Sequence, residues 1–336
     1  MRPFGSRTAR ARPFARGRAV DATRSATERF RSASSRAVAV ARTTTSFHDP
    51  SRPSGMDDLE SLADEIRSAD TVVAFTGAGI SAPSGVPTFR GDDGVWEKFD
   101  EGQFTYGRFR SDPEGFWDDR VDLQRELFAE EYQPNAAHDA LAAIGRDGHL
   151  EAILTQNTDG LHAKAADETA AGPSENGDET GDDRTDEAAE ANAETAADDT
   201  TLLELHGNAR RVRCTDCGRR RDADPIFDRA AEGELPPTCD CGGVFKPDVV
   251  LFGEQLPGAV IQRARSLARE SDVFLAIGSS LVVEPAASLP RQAASTGATV
   301  GIVNLESTPV DDAADVVRRE DVTEVLPRLR ELLETP

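Results

Sequence analysis

The sequence predicts an α/β fold, in which a doubly wound parallel sheet carries helices on both faces and a second, smaller module is attached. Three observations predict it. Short apolar runs of strand character alternate with amphipathic helical stretches from Met56 onward. These runs end in glycine or polar residues, as strands do where a parallel sheet binds a ligand. Four cysteines fall in two close pairs, which is typical of a small module built around a metal ion.

Residues 1–55 differ in charge from the rest of the chain. They hold twelve arginines and three acidic residues, so they carry +9 of a net charge of −23, and the remainder carries −32. This Arg- and Ser-rich composition predicts a disordered extension. Three origins fit it: a mitochondrial transit peptide, a basic tail that binds nucleic acid, or a segment upstream of a translation start at Met56. We favour the third, because Met56 directly precedes the first predicted helix.

The body, residues 56–336, is strongly acidic, and its lysines are Lys98, Lys164 and Lys246. Because salt screens the self-repulsion of such a charge, we predict adaptation to high salt; the alternative is an ordinary acidic cytosolic protein. Direct nucleic-acid binding by the body is not expected, since phosphate contacts need a basic footprint. Without a run of 18 apolar residues or an apolar signal core, the sequence predicts a cytoplasmic protein with no membrane span.

The predicted elements follow from hydrophobic periodicity. Helices are expected at 57–69, 114–130, 135–144, 258–269, 285–295 and 323–333. Strands are expected at 71–75, 152–154, 202–205, 249–252, 273–277 and 299–303. Residues 165–200 break the alternation, because they contain thirteen acidic residues and one arginine. We predict a disordered, solvated insertion there.

A glycine-rich turn follows the first predicted strand. Gly77 and Gly79 would let the backbone approach a pyrophosphate and would offer amide donors to it. Prolines and glycines further along predict an irregular loop instead of an immediate helix. Phe89 and Arg90 would then supply an apolar cap and a cation, although Arg90 alone fits a surface salt bridge equally well.

Polar residues also follow the next two predicted strands. Gln156, Asn157 and Asp159 stand where their side chains could hydrogen-bond ribose hydroxyls or a carboxamide, and an Asx-type turn is the alternative. His206 follows the third strand, and an imidazole has the pKa that suits a general base near neutral pH. A single histidine at a strand end is more often structural, so this hypothesis depends on the neighbouring motifs.

The pairs Cys214-x-x-Cys217 and Cys239-x-Cys241 predict a tetrahedral zinc site. Four thiolates leave no open coordination position, so the zinc would be structural and not catalytic. The second pair is shorter than the common C-x-x-C, and a redox-active dithiol is the alternative.

Three further segments in the last third of the chain are candidates: in Val249–Glu254 the predicted strand leads into a polar turn, and Gly278–Leu281 and Asn304–Glu306 each end a strand with small or polar residues. Each alone fits an ordinary polar turn. Together with the earlier turns they would line one edge of the sheet, as a bound dinucleotide requires.

These segments, in this order, resemble the sirtuin family. The resemblance covers about residues 57–333 apart from the insertion, and it rests on GAGIS, PTFRG, TQNTDGLH, LHG, the paired cysteines, VVLFGE, GSSL and NLE. It implies a large Rossmann-type domain with a smaller zinc-ribbon and helical module, here about 92–145 and 210–246, and NAD in the cleft between them. It also implies NAD-dependent deacetylation of acyl-lysine proteins, with release of nicotinamide and O-acetyl-ADP-ribose.

The resemblance further implies roles for individual residues. His206 would be the general base, and Asn157 and Asp159 would complete the catalytic group. The acyl-lysine peptide would pair as an extra strand beside Val249, Phe252, Gly253 and Glu254. If Asn157 and His206 face one cofactor, the insertion between them must loop out. The cofactor-binding residues would be Gly77, Ala78, Gly79, Ile80, Ser81, Phe89, Arg90, Trp96, Gln156, Asn157, Thr158, Asp159, Gly278, Ser279, Ser280, Asn304, Leu305, Glu306 and Val322.

The acyl group is less closely specified. Family members that remove succinyl or malonyl groups carry Tyr-x-x-Arg in the helix before the segment QPNAAH, and this chain has Trp117-x-x-Arg120 there. Arg120 could bind an acidic acyl group, but Trp117 cannot supply the tyrosine hydroxyl. We therefore expect deacetylation, with desuccinylation or demalonylation as the alternative.

Two further hypotheses are a mono-ADP-ribosyltransferase and a non-enzymatic zinc-ribbon binding module. Retention of both Asn157 and His206 argues against the first, because a deacylase needs the base in the second half of its reaction. The set of cofactor residues and the acidic body argue against the second.

Overall fold

The computed structural model describes residues 56–89, 94–171, 193–195 and 200–335, and the extension predicted at 1–55 lies outside them. The strands of the described residues are β1 (Val72–Thr76), β2 (Ala152–Thr155), β3 (Ala193–Thr195), β4 (Thr201–Glu204), β5 (Gly207–Cys214), β6 (Arg220–Asp222), β7 (Phe245–Val249), β8 (Val273–Ile277), β9 (Thr299–Val303) and β10 (Val316–Arg318). The helices are α1 (Met56–Ser68), α2 (Val95–Lys98), α3 (Tyr106–Ser111), α4 (Pro113–Leu127), α5 (Ala136–Arg146), α6 (Leu161–Ala171), α7 (Ala223–Ala231), α8 (Gly258–Glu270), α9 (Leu289–Thr296) and α10 (Val322–Glu334). None of these helices combines the length and the apolarity needed to cross a bilayer.

The larger sheet has the strand order β10-β9-β8-β1-β2-β4-β3. Every neighbouring pair is parallel except β3 with β4, so six strands end at one common edge. The chain leaves β1 toward β2 on one side and later returns to β8 on the other side. β1 therefore marks the switch point at which doubly wound sheets bind ligands, and the predicted fold class is confirmed.

The central strands are buried on both faces, as their apolar sequences VVAFT and VFLAI require. Alternate side chains of β1 point to opposite faces. Ala74 joins a core formed with α1, α5 and α10, and Phe75 joins a second core formed with α8 and α9. Helices on both sides thus keep the sheet rigid beneath its ligand-binding edge.

The small module has its own core around an antiparallel sheet of order β6-β5-β7. Aromatic residues of α3, α4 and α7 fill that core together with Phe245 of β7. The buried residues of this core lie at 95–127 and 212–251, and the sequence prediction for the module is about 92–145 and 210–246. Ala137 and Leu141 of α5, within the first predicted range, are buried in the core of the large sheet.

The strand predicted at 249–252 is wrong. The chain is extended at Phe245–Val249 instead, and this strand pairs with β5 in the small sheet. Residues 250–252 form a loop in which Leu251 and Phe252 pack in the aromatic core. A short apolar run cannot by itself distinguish a strand from a buried loop.

The disorder predicted at 165–200 is wrong at both ends of that segment. Helix α6 continues to Ala171, because the alanine-rich segment AADETAA favours a helix. Strand β3 pairs with β4 at residues 193–195. Residues 172–192 and 196–199 lie outside the described residues.

Candidate active site

Five parallel strands bring their carboxyl ends to one edge of the large sheet. The residues that follow β9, β8, β1, β2 and β4 lie along this edge in that spatial order. They include Asn304, Ser279, Gly77, Gln156 and His206. The edge therefore unites motifs that are more than 200 residues apart in the sequence.

The glycines of the first loop bring two loops together. Gly79 donates its amide hydrogen to the Gly278 carbonyl at 2.7 Å. A Cβ atom on Gly79 would lie 2.8 Å from Gly278, and one on Gly77 would lie 2.8 Å from Ser279. These glycines thus permit close packing between the loops after β1 and β8, where the sequence had predicted close approach to a pyrophosphate.

Most amides of this loop are already hydrogen-bonded within the protein. The chain forms two short 3₁₀ turns, Ala78–Ile80 and Ala82–Ser84, which use the amides of Ile80 and Ser81. The amide of Ala78 has no partner among the described residues. The amide of Ala82 likewise has none, so the predicted row of free amide donors is reduced to these two separated groups.

The loop after β8 contains a strained residue. Leu281 is buried and has a φ of +53°, which is unfavourable for a side chain of its size. The Ser279 hydroxyl accepts hydrogen bonds from Leu281 N at 3.4 Å and from Gln156 Nε2 at 2.8 Å. Ser279 therefore joins the loops after β8 and β2, and strained backbone of this kind concentrates at ligand sites.

His206 lies at the end of β4 with a defined tautomer. Its Nδ1 is 3.1 Å from the Gln156 carbonyl oxygen, which can only accept a hydrogen bond. Nδ1 therefore carries the hydrogen, and Nε2 has a free lone pair and no partner among the described residues. Burial lowers the pKa of His206 from its ordinary value, and the hydrogen bond to Gln156 opposes this. The side chain is consequently neutral at neutral pH, as a general base must be.

Asn157 is buried beside His206 with its amide orientation fixed. Its Nδ2 donates to the Gly77 carbonyl at 3.2 Å and to the Ser81 hydroxyl at 3.0 Å. Both amide hydrogens are thereby used, and Oδ1 accepts no hydrogen bond from the described residues. Oδ1 is the atom that Asn157 can offer to a ligand hydroxyl.

Asp159 is a half-buried carboxyl group next to Asn157. Burial raises its pKa, and hydrogen bonds from the Leu161 amide and the Ser81 hydroxyl oppose the rise. These two donors stabilise the ionised form. The Asx turn that the sequence offered as an alternative is also present, because Asp159 Oδ1 accepts the amide of Leu161 two residues later at 2.9 Å.

Two buried histidines behind this edge were missed by the sequence reasoning. His138 of α5 lies 3.4 Å from Ser81 Oγ, and His162 of α6 lies 2.9 Å from Thr76 Oγ1. Their ring centroids are 4.9 Å apart. Both occur in quoted segments, QPNAAH and TQNTDGLH, but spacing alone does not bring the two segments together.

The loop Val249–Glu254 runs beside His206. Val250 N donates to the His206 carbonyl at 2.8 Å. The Glu254 carboxylate accepts from Lys246 Nζ at 3.0 Å and from Leu251 N at 2.9 Å. Glu254, predicted to bind substrate, thus uses its side chain to close this loop.

An aromatic cluster connects this loop to the predicted cofactor loop. Trp96 stacks on Phe89 at 5.8 Å and meets Phe104 at 5.9 Å and Phe252 at 5.2 Å between ring centroids. Phe89, Trp96 and Phe252 are half-buried and so retain surface for a ligand. Arg90 lies outside the described residues.

Four predicted contact residues have their side chains in a core. Trp117 is fully buried and donates its Nε1 hydrogen to the Phe245 carbonyl at 2.9 Å, so it packs inside the small module. Arg120 is 2% exposed. Ile80 and Val322 are buried in the core beneath the sheet, where only their backbone could contact a cofactor.

The remaining predicted residues lie on the rim of the edge. Ser280, Leu305 and Glu306 are exposed, and Thr158 and Gly253 are not fully buried. Leu305 is 67% exposed, which is unusual for a large apolar side chain in this protein. An exposed leucine there offers apolar surface to a planar ligand group.

The four cysteines come together in the small module. Their Sγ atoms all lie within 4.8 Å of one another. Cys214 and Cys241 are 3.5 Å apart, and Cys217 and Cys239 are 3.8 Å apart. Four sulfurs bound tetrahedrally to zinc at 2.3 Å stand about 3.8 Å from one another. The donor set therefore fits a structural zinc ion, and the C-x-C pair closes around it as a C-x-x-C pair would.

The polar groups of the sheet edge also fit a dinucleotide. The Ala78 amide, Asn157 Oδ1 and His206 Nε2 all lack partners among the described residues. A hydrogen-bonded ligand would satisfy these groups. They lie at the switch point of the sheet, where one extended ligand can reach the loops on both sides of β1.

Comparisons with known proteins agree with this geometry. The model of the Sir2 family matches residues 77–171 and 191–285. An NAD-dependent protein deacetylase of Haloarcula marismortui is 49% identical over 286 residues, which cover 83% of this chain and 98% of that protein. A Sir2 protein solved with a peptide and NAD⁺ gives a TM-score of 0.64 at 31% identity and covers 81% of this chain and 97% of its own. A Sir2 protein solved with a deacetylated peptide and 3′-O-acetyl ADP-ribose gives a TM-score of 0.64 at 30% identity, with coverage of 82% and 98%.

Proposed function

The chain belongs to the Sir2 family, and we propose that it is an NAD-dependent deacetylase of acyl-lysine proteins. The observation that carries the proposal is the state of His206. Its Nδ1 hydrogen is held by the Gln156 carbonyl, and its free Nε2 lies at the sheet edge beside Asn157. A neutral imidazole in that position can accept a proton from a ligand hydroxyl.

NAD, when bound, supplies the ADP-ribose that accepts the acyl group and releases nicotinamide. The protein's part is to bind, to orient and to accept a proton. Asn157 Oδ1 would accept a hydrogen bond from a ribose hydroxyl, because both of its amide hydrogens are already used. Asp159, held by Ser81, would fix the neighbouring part of the same loop. Ser279 would keep the loops after β2 and β8 at a constant separation beneath the cofactor.

The substrate peptide would bind along the loop Val249–Glu254. The backbone of this loop is fixed at His206 by the Val250 amide and at its far end by Glu254. A loop whose backbone is fixed can pair with a peptide through main-chain hydrogen bonds, which gives affinity with little dependence on side chains. The half-buried Trp96 and Phe252 would line the path of the acyl-lysine side chain.

The test is to incubate the full chain with an acetyl-lysine peptide and NAD in high potassium chloride and to identify the products by mass spectrometry. We expect deacetylated peptide, nicotinamide and O-acetyl-ADP-ribose in equal amounts. ADP-ribose attached to protein would instead show a mono-ADP-ribosyltransferase. Absence of any NAD consumption with every acyl peptide would contradict the proposal.

His206→Ala tests the assigned base, and we expect it to fold and to lose at least about 100-fold in kcat, the usual contribution of general-base catalysis. The matched control is His149→Ala. His149 lies before β2 at the opposite edge of the sheet, so its replacement should leave the rate within about twofold of wild type. Equal rates for His206→Ala and wild type would remove the base from the mechanism.

One observation favours a second candidate, removal of succinyl or malonyl groups. Arg120 is buried, its Nη1 has no hydrogen-bond partner among the described residues, and its guanidinium lies 5.4 Å from the centre of the Phe227 ring. Burial lowers its pKa to about 10, so it remains charged at neutral pH. A buried cation of this kind is stabilised by an anionic partner.

Parallel assays with acetyl and succinyl peptides separate the two activities. If Arg120 binds an acidic acyl group, Arg120→Met should lower kcat/KM for the succinyl peptide and leave that for the acetyl peptide unchanged. Equal loss on both peptides would assign Arg120 to the packing of the small module.

A further inference from the structure

Two buried histidines stand behind the ligand-binding edge without a part in the chemistry described above. His138 is fully buried and His162 is 6% exposed, and their rings are in contact. Burying an imidazole requires that its polar atoms be hydrogen-bonded. The hydrogen-bond partners of each ring determine which of its nitrogens carries the hydrogen.

The tautomer of His138 is set by a helix cap. Asn135 caps α5, and its backbone amide donates to His138 Nδ1 at 3.4 Å, in the arrangement of a capping box. Because Nδ1 accepts, the hydrogen of the neutral ring must lie on Nε2. Nε2 is 3.4 Å from Ser81 Oγ, so His138 donates to Ser81.

This tautomer fixes the hydrogen of the Ser81 hydroxyl. Ser81 Oγ accepts from His138 Nε2 and from Asn157 Nδ2. With both lone pairs used, its single hydrogen is directed to the Asp159 carboxylate. The opposite tautomer of His138 would attract that hydrogen and leave Asp159 without it.

The same helix cap also holds the Ser81 loop from below. Asn135 Nδ2 donates to the Ile80 carbonyl at 2.8 Å and to Ser84 Oγ at 2.9 Å. The loop that contains Ser81 is thereby tied to the first turn of α5, which also contains His138. The cap therefore fixes the position of the loop relative to the imidazole of His138.

His162 completes the arrangement on the other side of Asn157. Thr76 Oγ1 donates to Thr155 Oγ1 at 2.9 Å and so accepts from His162 Nε2 at 2.9 Å. Thr155 Oγ1 in turn accepts the backbone amide of Asn157 at 3.1 Å. Asn157 is held through its side chain by the Ser81 branch and through its backbone by the His162 branch.

We propose that His138 is a positioning residue, which as the Nε2–H tautomer orients the Ser81 hydroxyl and through it sets the ligand-facing orientation of Asn157 and Asp159. This inference rests on the proposed function, since it concerns the same cofactor site. His138 touches neither cofactor nor substrate and acts through Ser81.

The proposal is tested with two replacements of different chemistry. His138→Leu keeps a similar volume and removes the donor, whereas His138→Gln keeps an amide donor near the position of Nε2. We expect His138→Leu to weaken NAD binding, measured without turnover, and to lower kcat/KM for NAD by about 10- to 100-fold, because small misplacement of binding groups has effects of this size. The KM for the peptide should remain unchanged, and His138→Gln should recover most of the loss.

A purely structural role predicts a different pattern. Both variants would then lower the melting temperature and the yield of folded protein, and kcat/KM per folded site would stay at the wild-type value. That result, or equal impairment by Leu and Gln, would overturn the proposal. Because NAD binding is measured directly, failure of the wild-type protein to deacetylate any peptide would leave this test intact.

A measurement on the wild-type protein covers the case in which the leucine variant does not fold. The chain has five histidines, so their ¹⁵N signals can be assigned by single replacements. We expect His138 to show a protonated Nε2 and an unprotonated Nδ1 between pH 6 and 8. A protonated Nδ1 in that range would overturn the assignment.

Discussion

The large sheet and the small module are held together by different means. All residues of β1 and β8 are buried, and apolar side chains cover both faces of the sheet. The strands β5 and β6 of the small module carry arginines instead, and β6 is not buried. Four cysteines close the module at one end.

The two regions differ in what stabilises them and in the part of the proposed site that each provides. The sheet edge bears His206, Asn157 and the cofactor loops, and it rests on a core that needs no metal. The small module provides the loop Val249–Glu254, and its four clustered cysteines fit a structural zinc ion, which commonly contributes to the folding of such modules. A change that loosens only the module should therefore remove peptide binding and preserve the cofactor edge.

Removal of zinc should have the largest effect and should act on the small module alone. Structural zinc contributes on the order of 10–16 kcal/mol to the folding of zinc-finger peptides. We expect a strong chelator, or Cys214→Ser, to unfold residues 95–127 and 212–251 while the large sheet remains folded. Hydrogen exchange resolved by peptide measures both regions in one experiment. Unchanged protection of the module after verified loss of zinc would contradict the assigned role of the metal.

Phe274→Ala should have the next largest effect, on the other region. Phe274 is fully buried in β8 and stacks on Phe75 at 6.2 Å. Its truncation should lower the free energy of unfolding by about 3–5 kcal/mol. The matched variant is Phe227→Ala in the small module, which should lower the protection of that module only. Global loss in both variants would show that the two regions unfold as one unit.

Asp248→Asn should have a smaller effect, because it removes ion pairs within the small sheet, next to the Arg211–Glu204 pair that connects this sheet to β4. Asp248 accepts from Arg220 at 2.8 Å and lies 3.6 Å from Arg211, which also pairs with Glu204 at the end of β4. We expect a loss of about 1–3 kcal/mol by denaturant unfolding, since a charge-assisted hydrogen bond is removed.

The control for Asp248→Asn is Asp122→Asn. Asp122 pairs with Arg125 on an exposed helix surface, and exposed pairs contribute about 0–1 kcal/mol. Equal losses in the two variants would show that the less exposed ion pairs of the small sheet contribute no more than an exposed pair.

Acid should have the smallest effect near neutral pH and should act on the large region. Burial lowers the pKa of His138 to about 4, and it lowers the pKa of His162 well below its ordinary value. The unfolded chain binds protons at these residues near pH 6.5 and the folded chain does not, so stability falls as pH drops below about 6.5 and levels off near 4 for His138. Between pH 7 and 6 we expect a loss on the order of 1 kcal/mol.

Two comparisons check the acid prediction. Thermal melts of His138→Gln should show a weaker dependence on pH than wild type, whereas His149→Gln should match wild type. Because acid also protonates zinc-bound thiolates, exchange must be followed separately in each region. Identical pH profiles for the two glutamine variants would contradict the assignment to His138.

The contrast between the apolar large sheet and the arginine-rich small sheet also explains how much of the fold could be predicted from the sequence. The parallel sheet was predictable, because continuous apolar runs such as 273–277 mark strands buried on both faces. The cysteine site was predictable from spacing. Strands β5 and β6 were missed, because RRD of β6 has no apolar residue and the alternation in RVRC of β5 includes only Val212 and Cys214.

Within the candidate site, sequence reasoning selected residues that follow strands and missed the buried residues behind them. His206, Asn157 and Asp159 follow predicted strands, so their common edge could be inferred. The contact between His138 and His162 depends on how α5 and α6 pack together, and spacing along the chain does not contain that information. Trp117 was misplaced for the same reason, since only the packing of α4 shows which of its sides faces the core.

The pairing of β3 with β4 has a practical consequence for work on this protein. β3 runs antiparallel to β4, so that Ala193 lies opposite Leu203 near the ligand-binding edge and Thr195 lies opposite Thr201 at the other edge of the sheet. Sequence added between Thr195 and Thr200 would therefore leave and re-enter the described structure at that other edge, and connections of this kind tolerate inserted sequence well. A fluorescent reporter or an affinity handle spliced in there would label the enzyme without approaching its catalytic edge.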